Sequence, residues 1–143
     1  KNKNRLGICL DTCHVFAAGY DMRTPQQYFQ LWKDFDRIIG LEHLKVIHIN
    51  DSKRELGTRV DRHEHIGKGK LGLEPFKLLF NDPRFFSIPK ILETPKNDLL
   101  EDYNNMKKIE SLLTDETKQE LAVYIPEQFE REARASNRNA LKS

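Results

Sequence analysis

The sequence predicts an α/β protein built on a parallel sheet, and three observations carry that prediction. Apolar runs at 5–10 (RLGICL), 44–49 (LKVIHI) and 88–92 (IPKIL) have the length and composition of strands. Segments with helical periodicity alternate with them, which is the pattern of crossover connections between parallel strands. Each run also leads into a residue able to bind metal or carry a proton: Asp11 with His14 just beyond, His48 with Asp51 just beyond, and Glu93. In parallel α/β folds functional groups collect at these carboxyl ends of strands.

Strand side chains alternate in direction, so Gly7, Cys9 and Asp11 share a face, as do Val46 with His48 and Ile91 with Glu93. Ile8, Leu10, Ile47, Ile49 and Leu92 then face the helices. Cys9 reads as a small buried residue, and Cys13 as a packing residue or a thiolate ligand. After the first strand, Thr24 can cap a helix, Pro25 suits its first position, Gln27 completes a capping box and Gly40 stops it. Tyr28, Leu31, Trp32, Phe35, Ile38 and Ile39 form its core face. A short helix is expected over 75–80, and a longer one over 98–113 with Leu99, Tyr103, Met106, Ile109 and Leu113 as its apolar stripe. Residues 1–114 read as one unit. Residues 115–143 read as a charged helical or frayed tail, anchored at most by Leu121, Val123, Tyr124, Ile125 and Phe129.

With 38% hydrophobic and 32% charged residues, the 143-residue chain suits a soluble domain with a modest core. No window approaches the ~18 apolar residues of a membrane span, and the lysine-rich start lacks the apolar segment of a secretion signal. The two cysteines lie four positions apart and favour a reducing compartment. The expectation is a cytoplasmic protein, or a nuclear one in a eukaryote, with no membrane partner. The balance of 24 basic against 22 acidic residues excludes nucleic-acid binding by bulk charge, so any such binding rests on local patches. The chain starts at Lys1 and reaches a strand almost at once, and three parallel strands close nothing. It reads as a portion of something longer.

Three strand ends can bring Asp11, His48 and Glu93 to one point, a plausible shell for a borderline metal ion. The connection over 51–72 is long for its place, and within it Asp61 and His63 stand two apart. With His14 they supply a second oxygen and nitrogen set suited to zinc. The same loop carries Lys53, Arg54, Arg59, Arg62, Lys68 and Lys70 against Asp51, Glu55, Asp61 and Glu64. Its glycines, Gly57, Gly67, Gly69 and Gly72, let the backbone approach a phosphate. Singly, each residue has a plainer reading, a strand-end carboxylate as a helix cap or a loop histidine as polar surface. Their joint placement favours a metal site.

The segments GICLDTCH (7–14), AAGYD (17–21), HINDSK (48–53), GTRVDRHEHIGKG (57–69) and ILETP (91–95) resemble the endonuclease IV family, zinc-dependent apurinic/apyrimidinic endonucleases. The resemblance covers roughly 5–113. It implies the C-terminal portion of a TIM (β/α)8 barrel of the xylose isomerase-like type, with about three of eight strands present. It further implies that Asp11, His48 and Glu93 ligate one zinc, and His14, Asp61 and His63 another. The complete family site holds three zincs, and the remaining ligands come from earlier strands. The implied reaction is hydrolysis of the phosphodiester 5′ to an abasic site in duplex DNA by zinc-activated water, leaving a 3′-hydroxyl, with Glu93 assisting the water. Lys53, Arg59, Arg62, Gly67 and Gly69 are the expected DNA contacts. The complete protein is expected to be a monomer, and this stretch alone weak or inactive. Two other readings remain open: a metal-dependent sugar isomerase or epimerase on the same barrel type, and a non-catalytic zinc- or DNA-binding fragment.

Overall fold

Three parallel strands form the sheet that organises the computed structural model, which describes residues 5–96 and 98–122. They are β1 (Ile8–Asp11), β2 (Leu44–Ile49) and β5 (Lys90–Leu92), in the order β1-β2-β5. Asp11 pairs with His48 and His48 with Ile91, so these strands end in step. Glu93 follows one residue past β5, two from Ile91, and so falls on the same side as His48.

A helix that sequence reading passes over, α1 (Thr12–Ala17), starts directly from β1. Asp11 caps it, its Oδ1 accepting from the N–H groups of Cys13 (2.8 Å) and His14 (3.1 Å). The crossover to β2 is α2 (Pro25–Ile38), capped by Thr24, whose hydroxyl oxygen accepts from the Gln27 N–H at 3.3 Å. Gln27 reaches back to the Thr24 side chain rather than to its backbone N–H, its Oε1 accepting from the Thr24 hydroxyl at 2.9 Å while its Nε2 donates to Asp21 Oδ2 at 3.2 Å. Gly40, at φ 95°, turns the chain out of the helix toward β2. The crossover to β5 is α3 (Glu74–Phe80), and after β5 comes α4 (Leu99–Glu110), capped by Asp98.

The core lies between the sheet and these helices. Leu10, Ile47 and Ile49 from the sheet meet Phe16, Tyr28, Trp32, Phe76 and Phe85, all buried. Trp32 and Phe85 lie with ring centroids 4.3 Å apart. Burying side chains of this size stabilises by about 1.5–3 kcal/mol each.

Several expectations are corrected here. Ile38 (66% exposed) and Ile39 are not core, and they border an open cleft beside β1 with Ile8 and Phe35. Ile8 is exposed rather than packed on the helices, since β1 is a sheet edge among the described residues. Cys9 is exposed, because no described element covers its face of the sheet; Cys13 is buried as expected. On α4, Tyr103 and Met106 are 58% and 56% exposed, and the helix turns Asn105 and Ile109 inward. Asn105 is held there by polar partners: it accepts from the Ile66 N–H at 3.0 Å and donates to Thr94 Oγ1 at 3.0 Å. The side chain of Leu99, and with it that part of the stripe, lies outside the described residues.

The connection after β2 is not a plain loop. It contains β3 (Asp51–Ser52) and β4 (His63–Glu64), which pair antiparallel. The chain divides into two compact units, Lys1–Leu113 and Thr114–Ser143. In the second, α5 (Asp115–Leu121) is capped by Thr114. The anchors Val123, Tyr124, Ile125 and Phe129, and the tail from 123 onward, lie outside the described residues. No helix among those described is long and apolar enough to cross a membrane.

Candidate metal centre

The strand ends and β4 bring all six expected ligands into one cluster. His48 Nδ1 lies 2.8 Å from Glu93 Oε2 and 3.8 Å from Asp11 Oδ2. Asp61 bridges two imidazoles, its Oδ2 at 3.1 Å from His14 Nε2 and its Oδ1 at 3.1 Å from His63 Nε2. Candidate ligand atoms fall within 4.8 Å of one another in the sets Asp11/His48/Glu93, Asp11/His14/His63 and Cys13/Asp61/His63. Asp11 therefore belongs to both halves, a sharing that strand-end reasoning had not included.

Burial grades across the cluster. Asp11 is buried, His48 and His63 half-buried, and His14, Asp61 and Glu93 exposed. His63 Nδ1 lies 2.9 Å from the Glu93 carbonyl oxygen. Donation there places the proton on Nδ1 and leaves Nε2 as the free lone pair. That Nε2 is buried and makes no hydrogen bond, although Asp61 Oδ1 and Asp11 Oδ2 stand 3.1 and 3.8 Å away. Buried ring nitrogens are normally satisfied. An orphaned one beside the Asp11 and Asp61 carboxylates and the His14 imidazole fits a bound borderline cation such as zinc. Partial desolvation followed by the Asp11 charge pushes the Cys9 thiol up, and burial pushes the Cys13 thiol up.

Asp51, read as a ligand candidate beyond His48, has another task. It is fully buried, and its Oδ1 accepts from Ser52 N–H (2.7 Å) and Leu71 N–H (2.9 Å). Its Oδ2 accepts from the N–H groups of Gly67 (3.0 Å) and Gly69 (2.9 Å). Burial pushes this carboxyl up in pKa while the four amides oppose it. The amides of Gly67 and Gly69, expected to cradle a phosphate, are thus directed inward to a carboxylate. A Cβ at Gly69 would overlap Asp51 Oδ1 and the Ser52 carbonyl, which is why glycine stands there.

The expected cationic contacts, Lys53, Arg59 and Arg62, are exposed. Arg59 has a left-handed backbone at φ 57°, strained for a residue with a side chain. Its N–H bonds the Ala17 carbonyl at 2.9 Å, and the Gly57 N–H bonds that of Phe16 at 3.1 Å. The arginine-bearing loop is thereby fastened to the end of α1. Sequence reasoning missed Asn50, Thr12 and Asn105, whose partners lie far along the chain; only their polarity at apolar boundaries signals them.

A cluster of imidazoles and carboxylates beyond the carboxyl ends of parallel strands defines a strand-end site of the TIM-barrel class. The chain belongs to the xylose isomerase-like TIM barrel family, whose model matches residues 1–120. Within it the similarity is to endonuclease IV. The probable endonuclease 4 of Trichlorobacter lovleyi is 61% identical over 98 residues, which is 68% of this chain and 35% of that protein. The apurinic-apyrimidinic endonuclease of Caenorhabditis elegans is 55% identical over 96 residues, 67% of this chain and 24% of that protein. The crystal structure of endonuclease IV from Thermus thermophilus superposes with TM-score 0.67 at 42% identity, covering 75% of this chain and 38% of that one. The chain thus spans well under half the length of these proteins.

Proposed function

We propose that this protein is a zinc-dependent DNA repair nuclease that hydrolyses the phosphodiester 5′ to abasic sites in duplex DNA and leaves a 3′-hydroxyl. The observation that carries the proposal is the orphaned, buried His63 Nε2, which falls in a candidate ligand set with Asp11 and His14 that shares Asp11 with the set Asp11, His48 and Glu93. The names of the relatives, endonuclease 4 and apurinic-apyrimidinic endonuclease, supply the substrate class.

Asp11, His48 and Glu93 would hold one zinc, and His14, Asp61 and His63 another. Bound zinc supplies Lewis acidity, lowering the pKa of water to about 7 and offsetting phosphate charge. The chain's residues provide aim. The Glu93 carbonyl fixes the His63 ring, while the Glu93 carboxylate, half open to solvent, is placed to orient a water. Arg59, Arg62 and Lys53 would grip backbone phosphates, which positions DNA without reading its sequence.

The test uses the protein as its gene encodes it and a labelled duplex with one tetrahydrofuran abasic analogue. Cleavage should yield a primer that a polymerase extends directly, should stop with chelator and should return with zinc. Absence of cleavage with zinc, or cleavage unchanged in Glu93→Ala, overturns the proposal. Turnover of a free sugar with a single metal per chain would install the isomerase reading instead.

A further inference from the structure

Asn50, at the end of β2, is completely buried although it is polar, and it carries no ligand atom of the proposed centre. All of its polar groups are engaged. Its Nδ2 donates to Asp11 Oδ2 at 2.9 Å, and its Oδ1 accepts from the Glu93 N–H at 2.9 Å. Its backbone N–H donates to Thr12 Oγ1 at 2.9 Å, and its carbonyl accepts from the same hydroxyl at 2.6 Å. The orientation of the carboxamide is forced, since a carboxylate only accepts and a backbone N–H only donates. One side chain therefore joins the ends of all three parallel strands.

The Asp11 carboxylate shows what this does. Its Oδ1 is taken by the Cys13 and His14 amides. Its Oδ2 receives Asn50 on one side and stands 3.8 Å from both His48 Nδ1 and His63 Nε2 on the other. We infer that Asn50 is a positioning residue of the metal centre, holding Asp11 Oδ2 turned to the imidazoles and the Glu93 backbone in register with them. The inference rests on the metal-binding part of the proposed function. Partners that orient metal ligands typically change metal affinity by 10–100-fold when lost.

The protein as encoded is titrated with Co2+ against a competing chelator, with the visible Co2+ spectrum recorded and thermal melting measured on the same samples. Asn50→Ala removes both side-chain bonds. Asn50→Asp keeps an acceptor for Glu93 and loses the donor to Asp11. Thr12→Val loosens the same buried junction through the main chain of Asn50 and His48, with no bond to a ligand side chain, and serves as the structural control. Both Asn50 variants should bind Co2+ about 10–100-fold more weakly, with an altered spectrum, while Thr12→Val stays within about threefold of the parent. In the unmutated protein the Asn50 side-chain amide NMR signals should shift on metal addition, a readout independent of how the variants fold. Parental affinity and spectrum in Asn50→Ala, equal weakening in Thr12→Val at matched melting loss, or unmoved amide signals would overturn the inference. Failure of the unmutated protein to take up metal would sink the metal reading itself, and the inference with it.

Discussion

Replacing Asp51 by Asn tests the reading that a buried carboxylate, not a phosphate, organises the glycine-rich turn. The swap keeps the shape and replaces one oxygen with an NH2 group. Each Asp51 oxygen faces two backbone donors, Ser52 and Leu71 on Oδ1, Gly67 and Gly69 on Oδ2. Whichever way the asparagine turns, its NH2 meets two N–H groups and two bonds are lost. Bonds to a charged acceptor are worth about 1.5–3 kcal/mol each, so the gross loss is about 3–6 kcal/mol. Relief of the buried charge returns part of this, leaving about 2–4 kcal/mol net. The assay is native-state hydrogen exchange at the amides of 67, 69 and 71, beside urea unfolding. At 1.36 kcal/mol per decade, exchange at the facing pair should quicken on the order of 100-fold. A change below about threefold at all three amides, with an unchanged unfolding midpoint, would refute the reasoning.

Three further outcomes are expected. Burial pushes the Asp82 carboxyl up, but Arg84 and the Tyr28 hydroxyl outweigh it and hold the group below its ordinary range. The resulting stability is present above the unfolded pKa of about 3.9 and is lost as pH falls through the folded value. In urea melts Asp82→Asn should therefore be less stable than the parent by about 1–2 kcal/mol at neutral pH, with the gap closing in acid; a pH-independent gap would contradict this. Arg59→Ala and Arg62→Ala should each lower the slope of log affinity against log salt by about 0.9 for duplex DNA of any sequence, measured by fluorescence anisotropy. With Cys9 exposed and Cys13 buried, an aromatic disulfide reagent should modify one thiol in the native protein and the second only in denaturant, and Cys9→Ser should abolish the fast reaction.

How much was readable from the sequence depends on how local the cause is. The apolar runs of β2 and the cap, proline and glycine of α2 act within a few residues, so their signals survive in the linear chain. The six ligand types stood out because each follows a strand or sits two positions from another. What was not readable is set by partners far away in sequence. The turn of α4 follows from Asn105 reaching Ile66 and Thr94, and hydrophobic periodicity alone would point Tyr103 and Met106 inward. Gly67 and Gly69 look like a phosphate cradle until Asp51, 16 and 18 residues earlier, is found between their amides.

Asp11 shows why weighing a plain reading against a functional one misstates the choice. A strand-end aspartate is either a helix cap or a ligand only if its two oxygens act alike. Here Oδ1 caps α1 through Cys13 and His14, and Oδ2 turns to His48 and His63 under the hold of Asn50. The cap is what gives the carboxylate a fixed direction. A ligand held by three donors loses little conformational freedom when a metal binds, so the structural bonds are part of the affinity. His63 repeats the arrangement, with Nδ1 on the Glu93 carbonyl and Nε2 left over for the centre. In both residues one polar atom is committed to the fold so that the other is aimed. The deciding question at such positions is therefore which atom of the side chain remains unsatisfied, and that is answered only by the partners that folding brings in.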